Sequence, residues 1–550
     1  MKAVSSIFGL LLSISIGWAH VGSPNVFFEG KAGPYPIRVV VRPPEAVPGS
    51  VQVDIRFQNG GITNVEVQAV LFDAGPQASP APVRAIGVPP DTNLFNASLW
   101  LFQSGSYSLR VVAESITGKG VATIPVTVAS LRLPRMPLWF AAMLLLSIGL
   151  LVAGATWIAG AASLEYRARS LEDLPNKNSE GRWLKPSAWM FILLIAGICI
   201  CAFRWKKMDR DFRTRELYQP VPIAAGCLTN GNLRLLQIAS AAGNAAHPLA
   251  IDSAGQSAKF NGPDDGRVAG WDRLVPDHGK LMHLFLVRLP EFDAFAHVHP
   301  VRRNSRTFQN ILPPLPGGRY EVYGEVTREN GVGETLVGNI LLPDFPGSFS
   351  QFRLATNLSN EVFCQSVRSQ AGSGPDGLRP GSEAAQPVAL DQDDSWHVAP
   401  KSAPLSRSNV SLVMGGWTMT FPRSGELFAN TDASLRFALF TPDGRPASLQ
   451  HYMGMPGHAI VRRNDGAVFT HLHPAGTISM AAQELFAQVE RERGGGDSNP
   501  SDRPMERPAS NEVAFPYAFP RAGEYRLWVQ MKSDGRVFTG VFDLEVKPAP

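Results

Sequence analysis

The sequence has few cysteines and little net charge, and each shortage excludes a class of protein. Four cysteines in 550 residues rule out a disulfide-rich scaffold. The formal net charge of +4 is small for this length and the basic residues are scattered, which excludes a nucleic-acid-binding surface. The chain also lacks Gly-x-Ser-x-Gly, the P-loop, the dinucleotide fingerprint and Cys-x-x-Cys. We therefore expect a protein that is not an enzyme.

Histidine is scarce as well, yet six of the eleven histidines belong to a pattern that the chain contains twice. In each copy a histidine opens an apolar run, a His-x-His-Pro segment follows, and a Gly-x-Tyr segment comes later. The six residues are His283, His297 and His299 in the first copy and His458, His471 and His473 in the second. This repetition indicates two related domains and makes the histidines the candidate functional residues.

The N-terminal part of the chain predicts an exported domain. Residues 1–19 have a basic start, an apolar run and small residues before Ala19, which is typical of a cleaved secretory signal. Cleavage there makes His20 the first mature residue, whose amine and imidazole together suit Cu(II). Residues 20–130 contain short alternating runs separated by Pro, Gly and Asn clusters, which predict a β-sandwich. This start resembles small periplasmic copper-resistance sandwiches that begin with a histidine.

Two apolar runs follow the N-terminal domain. Residues 137–162 are uncharged and long enough to cross a bilayer, whereas residues 187–203 are shorter and end at a basic segment. A buried core helix is the alternative for the shorter run. With a cleaved signal, two spans joined by the loop 163–186 place the rest of the chain outside. We therefore expect a bacterial cytoplasmic membrane protein whose main domains lie on the periplasmic side.

The remainder predicts two more strand-rich domains, residues 217–365 and 409–548, each with one copy of the histidine pattern. Residues 366–408 are rich in Ser, Gly, Pro, Asp and Gln, which predicts a linker. Residues 477–510 form an insertion in which a short helix is expected over 479–490. The predicted fold is mainly β, with three immunoglobulin-like β-sandwich domains plus two transmembrane helices.

Two cysteines lie on either side of the first histidine copy. Cys227 and Cys364 either close that domain with a disulfide in an oxidising compartment or remain two buried thiols. The sequence leaves both alternatives open.

Alternate residues of a strand point to the same side, so each His-x-His pair can converge on one ion. The earlier His283 or His458 begins a preceding strand that a hairpin brings alongside. Three imidazoles from two adjacent strands suit copper or zinc and leave an open coordination position. The carboxylate expected after the pair in a cupin-type oxygenase is missing in both copies.

Three further side chains extend these ligand sets. His278 is a candidate fourth ligand in the first copy, and Met453 and Met455 add thioethers in the second. Because thioether ligands select Cu(I), we predict copper ahead of zinc. The alternative is a structural histidine network, with the two methionines filling a core.

The two copies resemble sandwich domains of bacterial envelope proteins that are often associated with heavy-metal or copper handling. The resemblance rests on residues 282–287 and 295–300 of the first copy and on residues 452–461 and 469–474 of the second. It implies an extracytoplasmic β-sandwich. The first copy departs from the Tyr-x-Gly-Met-x-Gly-His form, so its metal preference can differ.

Together these features predict a membrane-anchored extracytoplasmic protein that binds or transfers a transition metal, most readily copper. The alternative is a structural or adaptor protein whose sandwiches bind another envelope protein and whose histidines are internal to the fold.

Overall fold

The computed structural model describes residues 25–72, 74–131, 136–170, 180–215, 217–218, 220–230, 233–240, 271, 273–345, 391–399, 408–423, 425–492 and 511–549. The predicted signal, His20 and Cys364 lie outside these residues. The described chain is mainly β, with several sheets and two long apolar helices. It forms two compact units, one made of residues up to 129 and from 218 onward and the other of residues 130–217.

The N-terminal domain, residues 25–129, consists of two sheets that enclose one apolar core. The sheet orders are β1-β2-β3-β7-β6 and β5-β4-β8-β9. Alternation along the strands produces this arrangement, since every second residue from Val51 to Phe57 is buried. The strands are β1 Val26–Ala32, β2 Tyr35–Arg42, β3 Gly49–Phe57, β4 Ile62–Leu71, β5 Val83–Arg84, β6 Ile86–Val88, β7 Asp91–Leu101, β8 Gly105–Ser115 and β9 Gly118–Val128.

Two helices, α1 Leu138–Ser170 and α2 Glu180–Arg215, make up the second unit. Both extend beyond the predicted spans. Their candidate spans, Leu138–Ser163 and Pro186–Arg213, each contain an 18-residue window with a mean hydropathy of 2.3 and 2.2, respectively, and neither window is buried. Each helix is therefore long and apolar enough to cross a membrane.

The first His domain, residues 218–345 and 391–399, is built on sheet order β15-β16-β11-β10-β18-β17-β13-β14-β19, with β12 beside β17. Strand β10 pairs with β11 and, at its start, with β18, so the sheet folds over one core. The strands are β10 Val221–Asn230, β11 Leu233–Ser240, β12 Leu274–Val275, β13 His283–Leu289, β14 Ala294–Val298, β15 Val301–Asn304, β16 Thr307–Ile311, β17 Gly318–Arg328, β18 Gly333–Leu342 and β19 Ser395–Val398.

Strand β19 corrects the predicted linker over residues 366–408. Ser395–Val398 pairs with β14 and adds an edge strand to the first His domain. Composition hid this strand because it is only four residues long and follows a polar segment.

The second His domain, residues 408–549, has sheets β20-β21-β23-β26 and β22-β28-β27-β24-β25 around its own core. The order β28-β27-β24-β25 matches β18-β17-β13-β14 of the first His domain, as the repeated sequence pattern predicts. Its elements are β20 Val410–Leu412, β21 Thr418–Thr420, β22 Leu427–Phe428, β23 Ala433–Phe440, β24 His458–Arg463, β25 Phe469–Leu472, α3 Met480–Glu492, β26 Glu512–Tyr517, β27 Gly523–Ser533 and β28 Arg536–Lys547. Helix α3 confirms the helix expected in the insertion.

A tyrosine corner recurs in all three β domains. Tyr107, Tyr320 and Tyr525 each follow a positive-φ glycine by two residues near the start of a long strand. Their hydroxyls donate to the backbone carbonyl four residues upstream, over 2.9, 2.8 and 2.7 Å. This corner is a hallmark of immunoglobulin-type sandwiches.

The two His domains pack together through the outer faces of their repeated sheets. The contact is fully aromatic and aliphatic at its centre, where Phe295 stacks on Trp528 at 4.8 Å and Tyr323 stacks on Phe469 at 3.9 Å between ring centroids. The buried cluster consists of Phe285, Val287, Phe295, Tyr323, Ile460, Phe469 and Trp528. Strands β13, β14, β24, β25 and β27 are therefore buried on both faces, which explains their nearly continuous apolar runs.

The N-terminal domain contacts the second His domain directly after the His-x-His-Pro segment. The Glu29 N–H donates to the Ala475 carbonyl at 2.8 Å, and the Thr477 N–H donates to the Phe27 carbonyl at 3.1 Å. On α3, the buried Glu490 forms an ion pair with Arg110 of the N-terminal domain. It also accepts a hydrogen bond from the Thr123 hydroxyl of that domain, over 2.8 Å. The second histidine copy thus lies where the domains meet.

Candidate metal centre

The first triad, His283, His297 and His299, lies at the edge of the interface between the His domains. His283 begins β13, and β13 pairs with β14, which carries His297, as the hairpin prediction requires. The Nδ1 atom of His283 lies 3.2 Å from Nε2 of His297. One ligand atom from each of the three residues lies within 4.8 Å of the others.

The second triad, His458, His471 and His473, repeats this geometry on β24 and β25. The Nδ1 atom of His458 lies 3.0 Å from Nε2 of His471, and the three ligand atoms again lie within 4.8 Å of one another. Two nitrogens bound to one tetrahedral ion are about 3.3 Å apart, since metal–nitrogen bonds are about 2.0 Å long. Both triads therefore have nearly the spacing that one ion requires.

The outward-facing nitrogen of every triad histidine has a hydrogen-bond partner. In the first triad, Nε2 of His283 lies 3.2 Å from the Asp277 carbonyl, and Nδ1 of His299 lies 2.9 Å from an Asp394 carboxylate oxygen. In the second, Nε2 of His458 lies 3.1 Å from the Tyr452 carbonyl. The Nδ1 atom of His473 lies 3.2 Å from the Ile478 carbonyl. These contacts orient the rings as outer contacts orient metal-ligating histidines.

The two central histidines receive this support from the opposite domain. Nδ1 of His297 lies 2.9 Å from the Gln530 side-chain oxygen on β27. Nδ1 of His471 lies 3.1 Å from the Glu325 carboxylate on β17. Glu325 and Gln530 occupy equivalent positions, because each is the strand neighbour of the first histidine of its own domain.

Two inward-facing nitrogens have no such partner. Among the described residues, Nε2 of His299 and Nε2 of His473 are buried without a hydrogen bond. A buried, unsatisfied polar atom costs about 1–3 kcal/mol, which a bound ion would offset. These are the atoms that complete each triad.

Burial keeps five of the six triad imidazoles neutral. Burial, helped by the neighbouring rings, lowers the pKa of His283, His297, His458 and His471 well below 6.5. Burial also lowers the pKa of His473 to about 4. A neutral imidazole keeps a lone pair for a metal ion, so no proton has to be displaced at neutral pH.

Burial also shifts the pKa of Glu325, whose carboxyl oxygen lies 3.1 Å from Nδ1 of His471. Burial and, to a smaller extent, the nearby Asp277 carboxylate together raise the pKa of Glu325 to about 8.

His278, a candidate fourth ligand of the first triad, lies near both triads. It lies nearer to the second triad than to its own, with ring centroids 5.4 Å from His473 and 5.7 Å from His458 but 6.3 Å from His283. Its Nε2 has no hydrogen-bond partner among the described residues. His278 is thus a candidate ligand across the domain interface, which sequence spacing cannot reveal.

Met453 occupies the position that His278 occupies in the first copy. Each is the second residue of a four-residue turn and has a positive φ, 50° for Met453 and 52° for His278, with a glycine next. The turns are closed by the pairs Asp277–Lys280 and Tyr452–Met455. Both methionines are buried, Met453 at 8% exposure and Met455 at 6%.

Three supporting residues were missed in the sequence, namely Glu325, Gln530 and Asp394. For the first two a signal was present, since each follows the glycine of the repeated Gly-x-Tyr segment by seven residues. Asp394 lies just before β19, inside the segment predicted to be a linker. A further group, His299 with Asp391 and Asp394, has metal-ligand spacing, but Asp391 is already paired with Lys280.

Comparisons with known proteins leave the function open. Residues 413–548 match a domain family of unknown function, DUF8832. No curated protein matches the sequence. Among solved structures, an endo-fucoidan hydrolase of glycoside hydrolase family 107 is 8% identical, with a TM-score of 0.14, and the match covers 92% of this chain and 43% of the hydrolase.

Two other solved structures show the same low similarity. Dimeric latent PorU from Porphyromonas gingivalis is 9% identical with a TM-score of 0.13, over 96% of this chain and 34% of PorU. A putative membrane anchored protein from Corynebacterium diphtheriae is 8% identical with a TM-score of 0.11, over 96% of both chains. This chain thus spans less than half the length of the hydrolase and of PorU.

Proposed function

We propose that this protein is a membrane-anchored extracytoplasmic protein that binds or transfers a transition metal, copper ahead of zinc, through its two histidine triads. The proposal includes a cleaved signal, two membrane spans formed by α1 and α2, and three immunoglobulin-like sandwiches on the periplasmic side of the bacterial cytoplasmic membrane. The tyrosine corner of each β domain supports the sandwich assignment.

One observation carries the metal assignment. In both triads the outer nitrogens are held by protein acceptors while the inner nitrogens converge, two of them without a hydrogen bond among the described residues. The alternative, a structural network in an adaptor protein, uses the contacts between His283 and His297 and between His458 and His471. It leaves Nε2 of His299 and of His473 buried and unsatisfied, which disfavours it.

Copper binding can be tested directly on the full-length protein in detergent. We expect wild type to take up Cu(I) tightly in competition with bathocuproine disulfonate, and zinc more weakly. Replacing one ligand in each triad, His299→Ala with His473→Ala, should lower the affinity about 1,000-fold, since about 12 kcal/mol of metal binding is shared among three histidine ligands. His451→Ala is the matched control, because this exposed histidine lies outside both triads. Wild type without copper binding, or a double variant with wild-type affinity, would contradict the proposal.

The contact between Glu325 and His471 allows a second test. Glu325→Ala should lower the copper affinity of the second triad about 10–100-fold, because the ring of His471 loses the acceptor that orients it. Glu325→Gln should change it much less, since Gln530 gives the same support to His297. Competition titration of both variants measures the difference, and equal affinities for Ala and Gln would show that this contact does not orient the ligand.

A further inference from the structure

The two triads lie nearly as close to each other as their own members do. The ring centroid of His471 lies 5.1 Å from that of His458 in its own triad. It lies 5.6 Å from the ring centroid of His283 and 5.5 Å from that of His297 in the other triad. Within the first triad, His283 and His297 are 5.4 Å apart. The six rings therefore form one continuous buried layer across the domain interface.

The outer contacts of the two central rings are exchanged between the domains. His297 of the first domain depends on Gln530 of the second, and His471 of the second depends on Glu325 of the first. Reciprocal contacts of this kind describe a two-fold relation between related domains, in which each completes the site of the other.

If the two His domains are related by a two-fold axis, the two triads have different candidate outer ligands. His278 of the first domain lies beside the second triad, at 5.4 Å from His473. Met453 occupies the equivalent turn position in the second domain, so by the same two-fold relation we expect its thioether beside the first triad. The imidazole would suit either copper state, and the thioether would favour Cu(I).

We propose, resting on the proposed function, that the two triads bind two copper ions side by side as one paired centre across the domain interface. The aromatic cluster between the sheets fixes the separation of the two ions, because Phe285 contacts rings of both triads, at 4.4 Å from His297 and 5.1 Å from His471. Both His domains are needed to build either half of this centre.

Electron paramagnetic resonance of the full-length protein loaded with two equivalents of Cu(II) tests the pairing. A paired centre gives a half-field transition, because the two nearby Cu(II) spins couple through their dipoles. The variants His299→Ala and His473→Ala, which occupy equivalent positions, should each bind one ion and give one full, uncoupled spin. The wild-type spectrum needs no variant, so a variant that fails to fold leaves the test intact.

Two results would overturn the paired centre. Two full, uncoupled spins per wild-type chain would show two separate sites and leave the proposed metal binding standing. A single ion per wild-type chain, lost in either variant, would show one shared site in place of a pair. Failure of wild type to bind copper would instead refute the proposed function on which the pairing rests.

Discussion

Removal of copper is expected to lower the free energy of unfolding of the two His domains by about 8 kcal/mol when free copper is 1,000 times Kd. An ion that binds only the folded protein stabilises it by RT ln(1 + [L]/Kd), which is about 4 kcal/mol per site under this condition. Two sites double the effect. Denaturant unfolding of the full-length protein with and without bathocuproine disulfonate measures it, with Trp528 as a reporter that is buried at the domain interface.

The control is the variant with one ligand removed from each triad, His299→Ala with His473→Ala. Its stability should respond to the chelator far less than wild type, whereas His451→Ala should respond fully. Equal unfolding curves for loaded and chelated wild type would mean that copper does not bind selectively to the folded centre.

The membership of each triad was predictable from sequence, since the histidine spacing fits a hairpin and occurs twice. The period-two geometry of strands then puts both members of a His-x-His pair on the same side. The repeat also predicted that the two His domains have their strands in the same order. These conclusions need only local geometry, which spacing along the chain determines.

The relation between the triads was not predictable in the same way. Spacing says nothing about which domain faces which, so the approach of His278 to the second triad could not be predicted from the sequence. A signal for the interface was present in segments such as His283–Leu289, where apolar residues occupy both alternating sets of positions and so point to both faces of the strand. Such a strand is buried on both faces, and its second face requires a partner sheet.

Trp528→Ala is expected to destabilise the His domains by about 3–5 kcal/mol, the cost of removing a fully buried aromatic side chain. Trp528 is 0% exposed and stacks on Phe295 of the other domain. Because the triads support each other across this interface, the variant should also bind copper more weakly, although no ligand is changed. Denaturant unfolding and Cu(I) competition on the same full-length samples measure both effects.

The matched control is Trp100→Ala, a tryptophan that is 60% exposed on the N-terminal domain. Its free energy of unfolding should stay within about 0.5 kcal/mol of wild type, as for most surface substitutions. Trp528→Phe should recover most of the copper affinity, since a ring again fills the gap opposite Phe295. If Trp528→Ala loses stability but keeps full copper affinity, each triad is complete within its own domain. The two domains then share an apolar face without sharing a metal centre.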